Sequence, residues 1–585
     1  MFVHYKEIWK QKLADALNAL LDENGVTKTV ATSDIVAEIP PQSDMGDLGF
    51  PMFAYAKILH KGPSQIAQAV LAKLDTDTGA AKGMGPYVNI FLNRAEIAGE
   101  LLKEVVLGKQ GRLGRPDTLK GKRIMVEFSS PNTNKPLHLG HLRNDILGES
   151  ISRILAACGA EVRKVCIIND RGVHICKSML AYHLYGEGKT PENEGIKSDH
   201  FVGQWYVHFN RMSKEDPVVE EKAQEMLRKW ERGDENVTAL WKKMNEWAIN
   251  GMKETYKRTG VSFDAYYFES ETYLLGRAEI LKGLEKGIFY RSDDGAVMID
   301  LSAEGLDKKV LLRKDGTSIY ITQDIGTAIF RYEDWAFDRL IYVVGSEQRY
   351  HFKALFSILD KLGYEWAKNL YHLSYGMVNL PEGKMKSREG TVVDADDLLD
   401  SLKEMALQEI KSKEREDAVG NPEEIAEKVA LGALHYYLLQ VSAAKDMLFN
   451  PKESLSFNGN TGPYLQYMGA RISSMLRKAS LSQASDAIPA VQPELLSGDA
   501  EWDVIKTLFD YNNTVAEAAD KMDSSIVAGY LYSLSKAFSR FYHDCPILNA
   551  EHPDLAAARL ALSKAVLFVL KDALQLIGIP FLDVM

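Results

Sequence analysis

Two short stretches of this chain combine residue types suited to phosphate chemistry. The first is His138-Leu139-Gly140-His141, in which two imidazoles one helical turn apart can donate to phosphate oxygens. The glycine between them lets a flat ring approach the backbone. The second is Gly383-Lys384-Met385-Lys386-Ser387-Arg388-Glu389-Gly390, where Lys384, Lys386 and Arg388 sit between glycines. A basic loop of that kind can close over a polyphosphate as charge moves toward a leaving group. Alone, each is ambiguous. H-x-G-H also describes a satisfied pair of loop histidines or half of a metal site, and a Lys/Arg-rich loop is more often simply solvated.

The surrounding elements narrow the choice. From Arg123 the run IMVEF reads as a strand, SSPNTNKPLHLGH as turn chemistry and LRNDILGESISRILAACG as a helix that Gly159 ends. EVRKVCIIND is the next strand, which makes a right-handed βαβ unit and seeds a parallel sheet. The two histidines therefore fall where the first strand hands over to its helix, the end of such a sheet where helix N-termini attract anions. The stretch from Gly186 to Tyr290 is charged and helical in pattern, and reads as an insertion between two halves of the sheet. Strand-like runs resume at GAVMIDL, KKVLLR, TSIYITQD and DRLIYVVG. After the basic loop the chain is helical in pattern to Met585, as expected of a bundle. Ahead of the first strand, helical spacing over Tyr5–Leu21, a strand at Tyr87–Leu92 and a polar, glycine-containing linker mark a small mixed domain.

The chain has 585 residues, with 46% hydrophobic and 26% charged residues, which excludes a mainly disordered or fibrous polymer. Lys+Arg number 70 against 81 Asp+Glu, a net charge of −11, so nucleic acid would have to be met by a local basic patch. Cys158, Cys166, Cys176 and Cys545 match neither zinc spacing nor a disulfide framework. The opening residues are broken by charges, unlike a signal peptide, and no apolar run approaches the ~18 residues of a membrane span. These features predict a soluble, cytoplasmic chain with no membrane partner.

HLGH and KMKSREG resemble the HIGH and KMSKS signatures of class I aminoacyl-tRNA synthetases. The wider runs VEFSSPNTNKPLHLGHLRN, SIYITQDIG, VVGSEQRYHF and NGNTGPYLQYMGARI resemble the arginyl-tRNA synthetase family in particular, over nearly the whole chain. The resemblance implies a Rossmann-like α/β catalytic domain over residues 116–395, with the helical insertion at about 186–290. It adds an N-terminal α+β domain over 1–115 that contacts the tRNA elbow, and an all-α anticodon-binding bundle over 396–585. The implied reaction activates L-arginine with ATP to arginyl-adenylate and transfers it to the 3′ end of tRNA(Arg), Mg²⁺ arriving with the nucleotide and no metal held by the protein. A monomer is expected, and relatives characteristically need tRNA before they activate arginine.

Carried over by motif, His138, His141, Lys384, Lys386 and Arg388 act in catalysis. Ser387 stands where the signature has its second lysine, and Lys135 is placed to supply that cation. Leu139, Gly140, Gly376, Val378 and Met385 would hold ATP. Glu127, Ser129, Asn132, Tyr320, Asp324 and Gln348 would line the arginine pocket, with Tyr320 and Asp324 on one face if their segment is helical. A carboxylate accepting a guanidinium fork gives a bidentate contact that an ammonium cannot copy. Asn89, Tyr464, Tyr467 and Arg471 would contact tRNA. His174 stands where many relatives carry glutamine. Other readings are a nucleotidyltransferase sharing the HIGH fold, a catalytically dead RNA-binding relative, or a zinc protein using the two histidines. Length, the intact acidic residues and the lack of a nearby third ligand argue against them in turn.

Overall fold

The computed structural model describes residues 2–41, 43–76, 78–106, 113, 115–380, 393–412, 421–482 and 491–585; Lys384, Met385, Lys386 and Arg388 of the basic loop lie outside them. Helix α1 (Phe2–Glu23) repeats apolar residues at helical spacing, and Tyr5, Trp9, Leu13 and Leu17 are all buried. With α2 (Pro63–Leu71) it covers an antiparallel sheet of β1 (Leu48–Pro51), β2 (Gly79–Met84) and β3 (Tyr87–Leu92), in the order β1-β3-β2. Helix α3 (Arg94–Val106) leads away from this unit.

The main sheet begins with β4 (Arg123–Glu127), α4 (Leu139–Ala157), β5 (Glu161–Ile168) and α5 (Val173–Tyr185), the expected strand–helix–strand unit. Three helices follow, α6 (Ser198–Glu215), α7 (Val218–Glu231) and α8 (Glu235–Thr259). Then β6 (Ala265–Phe268) returns to pair in parallel with β5. The sequence reading had placed these four residues inside the insertion. A four-residue edge strand set in charged surroundings carries too few alternations to announce itself.

Helix α9 (Leu275–Glu285) precedes β7 (Tyr290–Arg291), β8 (Val297–Ile299) and β9 (Lys309–Leu312), so GAVMIDL and KKVLLR form a separate antiparallel sheet. TSIYITQD is not a strand. Its first residues are extended and α10 (Tyr320–Asp334) starts at Tyr320. Strand β10 (Arg339–Gly345), α11 (Arg349–Lys361) and β11 (Leu370–Tyr375) complete the main sheet, which is parallel throughout in the order β11-β10-β4-β5-β6. The chain leaves β4 toward one edge and later fills the other, so the order reverses between β4 and β10. The crevice above the carboxyl ends of those two strands is where such sheets take ligands.

Short strands β12 (Val378–Asn379) and β13 (Met447–Leu448) pair in parallel near that crevice. The rest is helical: α12 (Ala395–Ser412), α13 (Pro422–Leu439), α14 (Gly462–Ser482), α15 (Asp499–Phe509), α16 (Tyr511–Lys521), α17 (Ser525–Asp544) and α18 (Pro553–Leu576). Trp502, Tyr511, Phe538 and Phe541 fill its core, each side chain contributing about 1.5–3 kcal/mol by leaving water. The N-terminal unit docks on this bundle. Buried Asp47 accepts from Trp502 Nε1 at 2.6 Å and from the Leu92 N–H at 3.0 Å, and Arg94 pairs with Asp499 at 3.1 Å. Among the described residues, no helix is long and apolar enough to cross a membrane.

Candidate active site

His138 is the N-cap of α4. Its Nδ1 accepts from the N–H groups of Gly140 at 3.1 Å and His141 at 3.4 Å, while His141 Nδ1 accepts from the His138 N–H at 3.2 Å. With both Nδ1 atoms acting as acceptors, each ring carries its proton on Nε2. Burial, and then the nearby Lys135 charge, lower His138 to about 4, and burial also holds His141 well below its ordinary value. Both rings are therefore neutral donors at physiological pH. Their centroids lie 3.8 Å apart. A Cβ at Gly140 would come within 3.0 Å of the His138 ring, which is why this position takes glycine. Burial, and after it nearby positive charge that includes Lys135, lowers His138, His141 and His174, and no carboxylate pairs with Lys135 among the described residues.

The backbone of His138 is held on both sides. Leu139 N–H donates to Val393 O at 2.9 Å, Ala395 N–H donates to Leu137 O at 3.0 Å, and His138 bridges Asp394. Deeper in the same helix, buried Arg143 donates to the carbonyls of Met377 (2.9 Å), Ala443 (3.1 Å) and Lys445 (2.7 Å). It ties α4 to the Gly376–Val378 segment. Gly376 allows the Asp446 loop to come close, since a Cβ there would meet Asp446 Oδ1 at 2.5 Å. The ladder bonds Met447 N–H to Met377 O at 2.9 Å and Phe449 N–H to Asn379 O at 2.7 Å, which turns the N–H and C=O of Val378 the other way. Arg143 lay in the signature run as an unremarked cation; its burial and triple carbonyl contact reveal its work.

At the other end of the crevice, Asp324 lies one turn after Tyr320 on α10, as their spacing predicted, and Tyr320 is 80% exposed. One Asp324 oxygen receives His351 Nε2 at 2.6 Å. Glu269 follows β6 directly, and Asp170 follows β5. Burial first, and then the charges of Asp170 and Asp324 set against Arg171, raise Glu269 to about 7. Asp170 accepts from the Ser270 N–H at 2.8 Å and hydroxyl at 2.7 Å, while Arg171 pairs with Glu231 at 2.8 Å and stands 4.0 Å from Glu269. Glu269 and Asp170 carry no motif of their own, because their placement depends on the pairing of β6 and on where β5 ends.

Glu127 ends β4, but its carboxylate is already engaged by buried Arg331, with Ser130 Oγ donating to the other oxygen at 3.3 Å. Ser129 is buried, its hydroxyl 2.6 Å from that of Tyr256 and its N–H donating to Asn144 Oδ1. Its side chain supports the site from behind. Ser129 and Ser130 both take positive φ, 72° and 52°, a costly backbone that turns the chain sharply after Glu127. Asn132 and Gln348 are exposed at the ends of β4 and β10. His174 contacts the Tyr206 hydroxyl at 3.1 Å.

Of the residues expected at RNA, Asn89 is buried and its amide donates to Met45 O at 2.7 Å, so contact at that surface would fall to its neighbours. Tyr464 and Tyr467 are half-buried on α14. Tyr464 lines an open cleft of about 500 Å³ together with Tyr532, Lys536, Ser539, Arg540 and His543. Arg471 stacks over Tyr542 at 4.2 Å, outside that lining.

A parallel sheet with HLGH at its switch point, followed by a helical bundle, defines a class I aminoacyl-tRNA synthetase. The model of the class I (R) tRNA synthetase catalytic domain matches residues 103–450, that of the arginyl-tRNA synthetase N-terminal domain residues 7–92, and that of the DALR anticodon-binding domain residues 465–585. The arginine–tRNA ligase of Treponema denticola is 57% identical over 99% of both chains, and that of Borreliella burgdorferi 44% identical over 98% of this chain and 99% of its own. The solved Thermus thermophilus arginyl-tRNA synthetase superposes with a TM-score of 0.79 at 28% identity, covering 98% of this chain and 100% of that one. The chain belongs to the arginyl-tRNA synthetase family.

Proposed function

We propose that this protein catalyses ATP-dependent attachment of L-arginine to tRNA(Arg), through arginyl-adenylate, as a cytoplasmic monomer. The observation that carries the choice of amino acid is the acidic pair Glu269 and Asp324, near Asp170, at the carboxyl end of the sheet. Glu127 already pairs with Arg331 and accepts from Ser130, which leaves Asp324 and Glu269 to accept the guanidinium fork and the remaining lone pairs of Glu127 to take the α-ammonium. Tyr320, Asn132 and Gln348 close the pocket around the side chain and carboxylate.

ATP lies over Gly140 with its adenine edge on the N–H and C=O of Val378, beside Gly376 and Leu139. Mg²⁺ enters with the triphosphate as part of the substrate. The arginine carboxylate then attacks the α-phosphorus and pyrophosphate leaves. His138 and His141 donate from Nε2 to the phosphate oxygens as charge builds, and Lys135 supplies a mobile cation that Ser387 cannot. Lys384, Met385, Lys386 and Arg388 are assigned to the same phosphates by motif. No protein nucleophile is needed; in-line placement and charge stabilisation suffice. In the second step the terminal ribose hydroxyl of tRNA displaces AMP. The Tyr464–Tyr532 cleft, with Lys536 and Arg540 at its rim, offers stacking planes and cations to splayed anticodon bases, with Tyr467 and Arg471 alongside.

The test is pyrophosphate exchange with each of the twenty amino acids, with and without tRNA. Signal with arginine alone is expected, and only when tRNA is added. Exchange with another amino acid would reject the substrate, and tRNA-independent exchange would reject the coupling.

A further inference from the structure

The loops that follow β4 and β5 rest on the helical insertion. On α8, Tyr256 meets Ser129, Asn245 meets Thr133, and Trp241 Nε1 donates to Asp170 O at 2.6 Å. On α6, Gly203 lies against the Lys135-Pro136 backbone, where a Cβ would meet Pro136 Cδ at 2.8 Å. The densest of these contacts involves no residue that touches substrate. Lys197 Nζ, just ahead of α6, lies 2.7 Å from Asp396, 3.1 Å from Asp199 and 2.6 Å from the Thr255 hydroxyl. His200 Nε2 is 3.2 Å from Asp396 and 3.6 Å from Asp394. Asp394 and Asp396 flank Ala395, and the 393–395 segment is the one whose backbone grips Leu137 and Leu139 on either side of His138.

Asp199, His200 and Asp396 have the spacing of a metal cradle, but the Lys197 ammonium already sits among them. The cluster is charge-paired from within. Its force is mechanical: it pins the 393–396 segment to the insertion, and through that segment it fixes the backbone from which His138 and His141 aim their Nε2 atoms.

We infer that His200, with Lys197 and Asp396, is a positioning node for adenylate formation, holding the 393–396 segment against the signature histidines. His200 faces Asp199 on its own helix and Asp394 and Asp396 at the start of α12; Asp396 in turn meets Thr255 and, at 3.9 Å, Arg258 on α8, which pairs with Asp400 and Glu427. Burial alone would discharge His200, but its hydrogen bond to Asp396 and the charges of Asp394 and Asp199 outweigh burial and raise its pKa. The charged form therefore holds two carboxylates at once. Above that raised pKa one of the bonds pinning the segment weakens.

The inference rests on His138 being the phosphate donor, and the experiment separates the two ideas. Arginine-dependent pyrophosphate exchange is measured on the full-length enzyme with tRNA, for wild type, His138→Ala, His200→Ala, His200→Gln and Asp396→Asn, from pH 6.5 to 9. For His200→Ala, kcat should fall about tenfold and the KM for ATP should rise, with the KM for arginine within twofold. His200→Gln keeps a side-chain N–H toward Asp396, so it should recover a substantial part of kcat and lack the alkaline fall expected of wild type. Should His200→Ala not fold, His200→Gln and Asp396→Asn carry the same readouts. A wild-type kcat in His200→Ala, equal losses in the alanine and glutamine variants, or an unchanged pH profile in His200→Gln would each overturn the node. Exchange at the wild-type rate in His138→Ala would instead overturn the reading of the signature itself.

Discussion

At the phosphate end of the crevice, both histidines are neutral, both Nδ1 atoms are satisfied by backbone N–H groups, and both Nε2–H bonds are aimed outward. At the amino-acid end, Glu269 is buried and feels the charges of Asp170 and Asp324 as well as Arg171, and it keeps a proton up to about 7. The first region is organised before any ligand arrives. The second is electrostatically incomplete and gains its order from a cation. Geometry set in advance suits the acceptance of charge that develops during reaction, whereas unpaired charge suits selection of a substrate that brings the opposite sign.

The largest effect should come from breaking the organised end. His138→Ala removes an Nε2 donor and the helix cap together, and should lower kcat for adenylate formation by ~10²–10³-fold while leaving the KM for arginine within a factor of about two. A comparable rise in the arginine KM would mean the two ends are not separate. Next is the charge at the other end. Asp324→Asn should raise the KM for arginine by roughly 10- to 100-fold with kcat less affected, as expected when a charged hydrogen-bond acceptor is neutralised. Retained rejection of lysine in that variant would show that the guanidinium is read elsewhere.

A smaller effect tests the incompleteness directly. Below pH 7 Glu269 takes up a proton and loses the charge that guanidinium needs. In wild type, therefore, the KM for arginine should climb by up to about tenfold per pH unit as pH falls from 7 to 6. Glu269→Gln should bind arginine more weakly at pH 8 and show no such climb. A slope identical to wild type would assign the titration to another group.

The smallest effect concerns stability. Asp145 lies on α4 behind the Ser129 turn, with neither carboxylate oxygen partnered among the described residues. Burial, despite the neighbouring Ser129 hydroxyl and with the charge of Glu149 adding to it, raises its pKa to about 8. The folded form then holds a proton that the unfolded chain releases above about 4, so stability falls as pH rises from about 4 to 8. Asp145→Asn should raise the Tm by roughly 2–4 °C at pH 8, the gain shrinking to nothing near pH 4. Calorimetry across that range decides it.

Much of the phosphate end could be read from the chain alone, because its chemistry is local. His138, Gly140 and His141 span four residues, their strand and helix are contiguous, and hydrophobic spacing predicts both. The same holds for the Tyr320–Asp324 pair once their segment is helical. The amino-acid end resisted because its members come from different strands. Glu269 acquires meaning only when Ala265–Phe268 joins the sheet edge, a four-residue strand whose pairing is decided by β5 and not by its own pattern. Glu127 was visible as an acid at a strand end, yet only packing shows that Arg331, 204 positions later, already pairs with it.

The sequence by itself determined the reaction class, the parallel sheet with its helical insertion and tail, and the donors for phosphate, since motifs and periodicity are short-range properties. Tertiary structure alone decided which partner each carboxylate meets, which serine faces inward, why Asn89 is buried, and how Asp394 and Asp396 come to be held by a distant helix. Those outcomes turn on charge proximity and desolvation, which depend on through-space distance between residues that the chain keeps far apart.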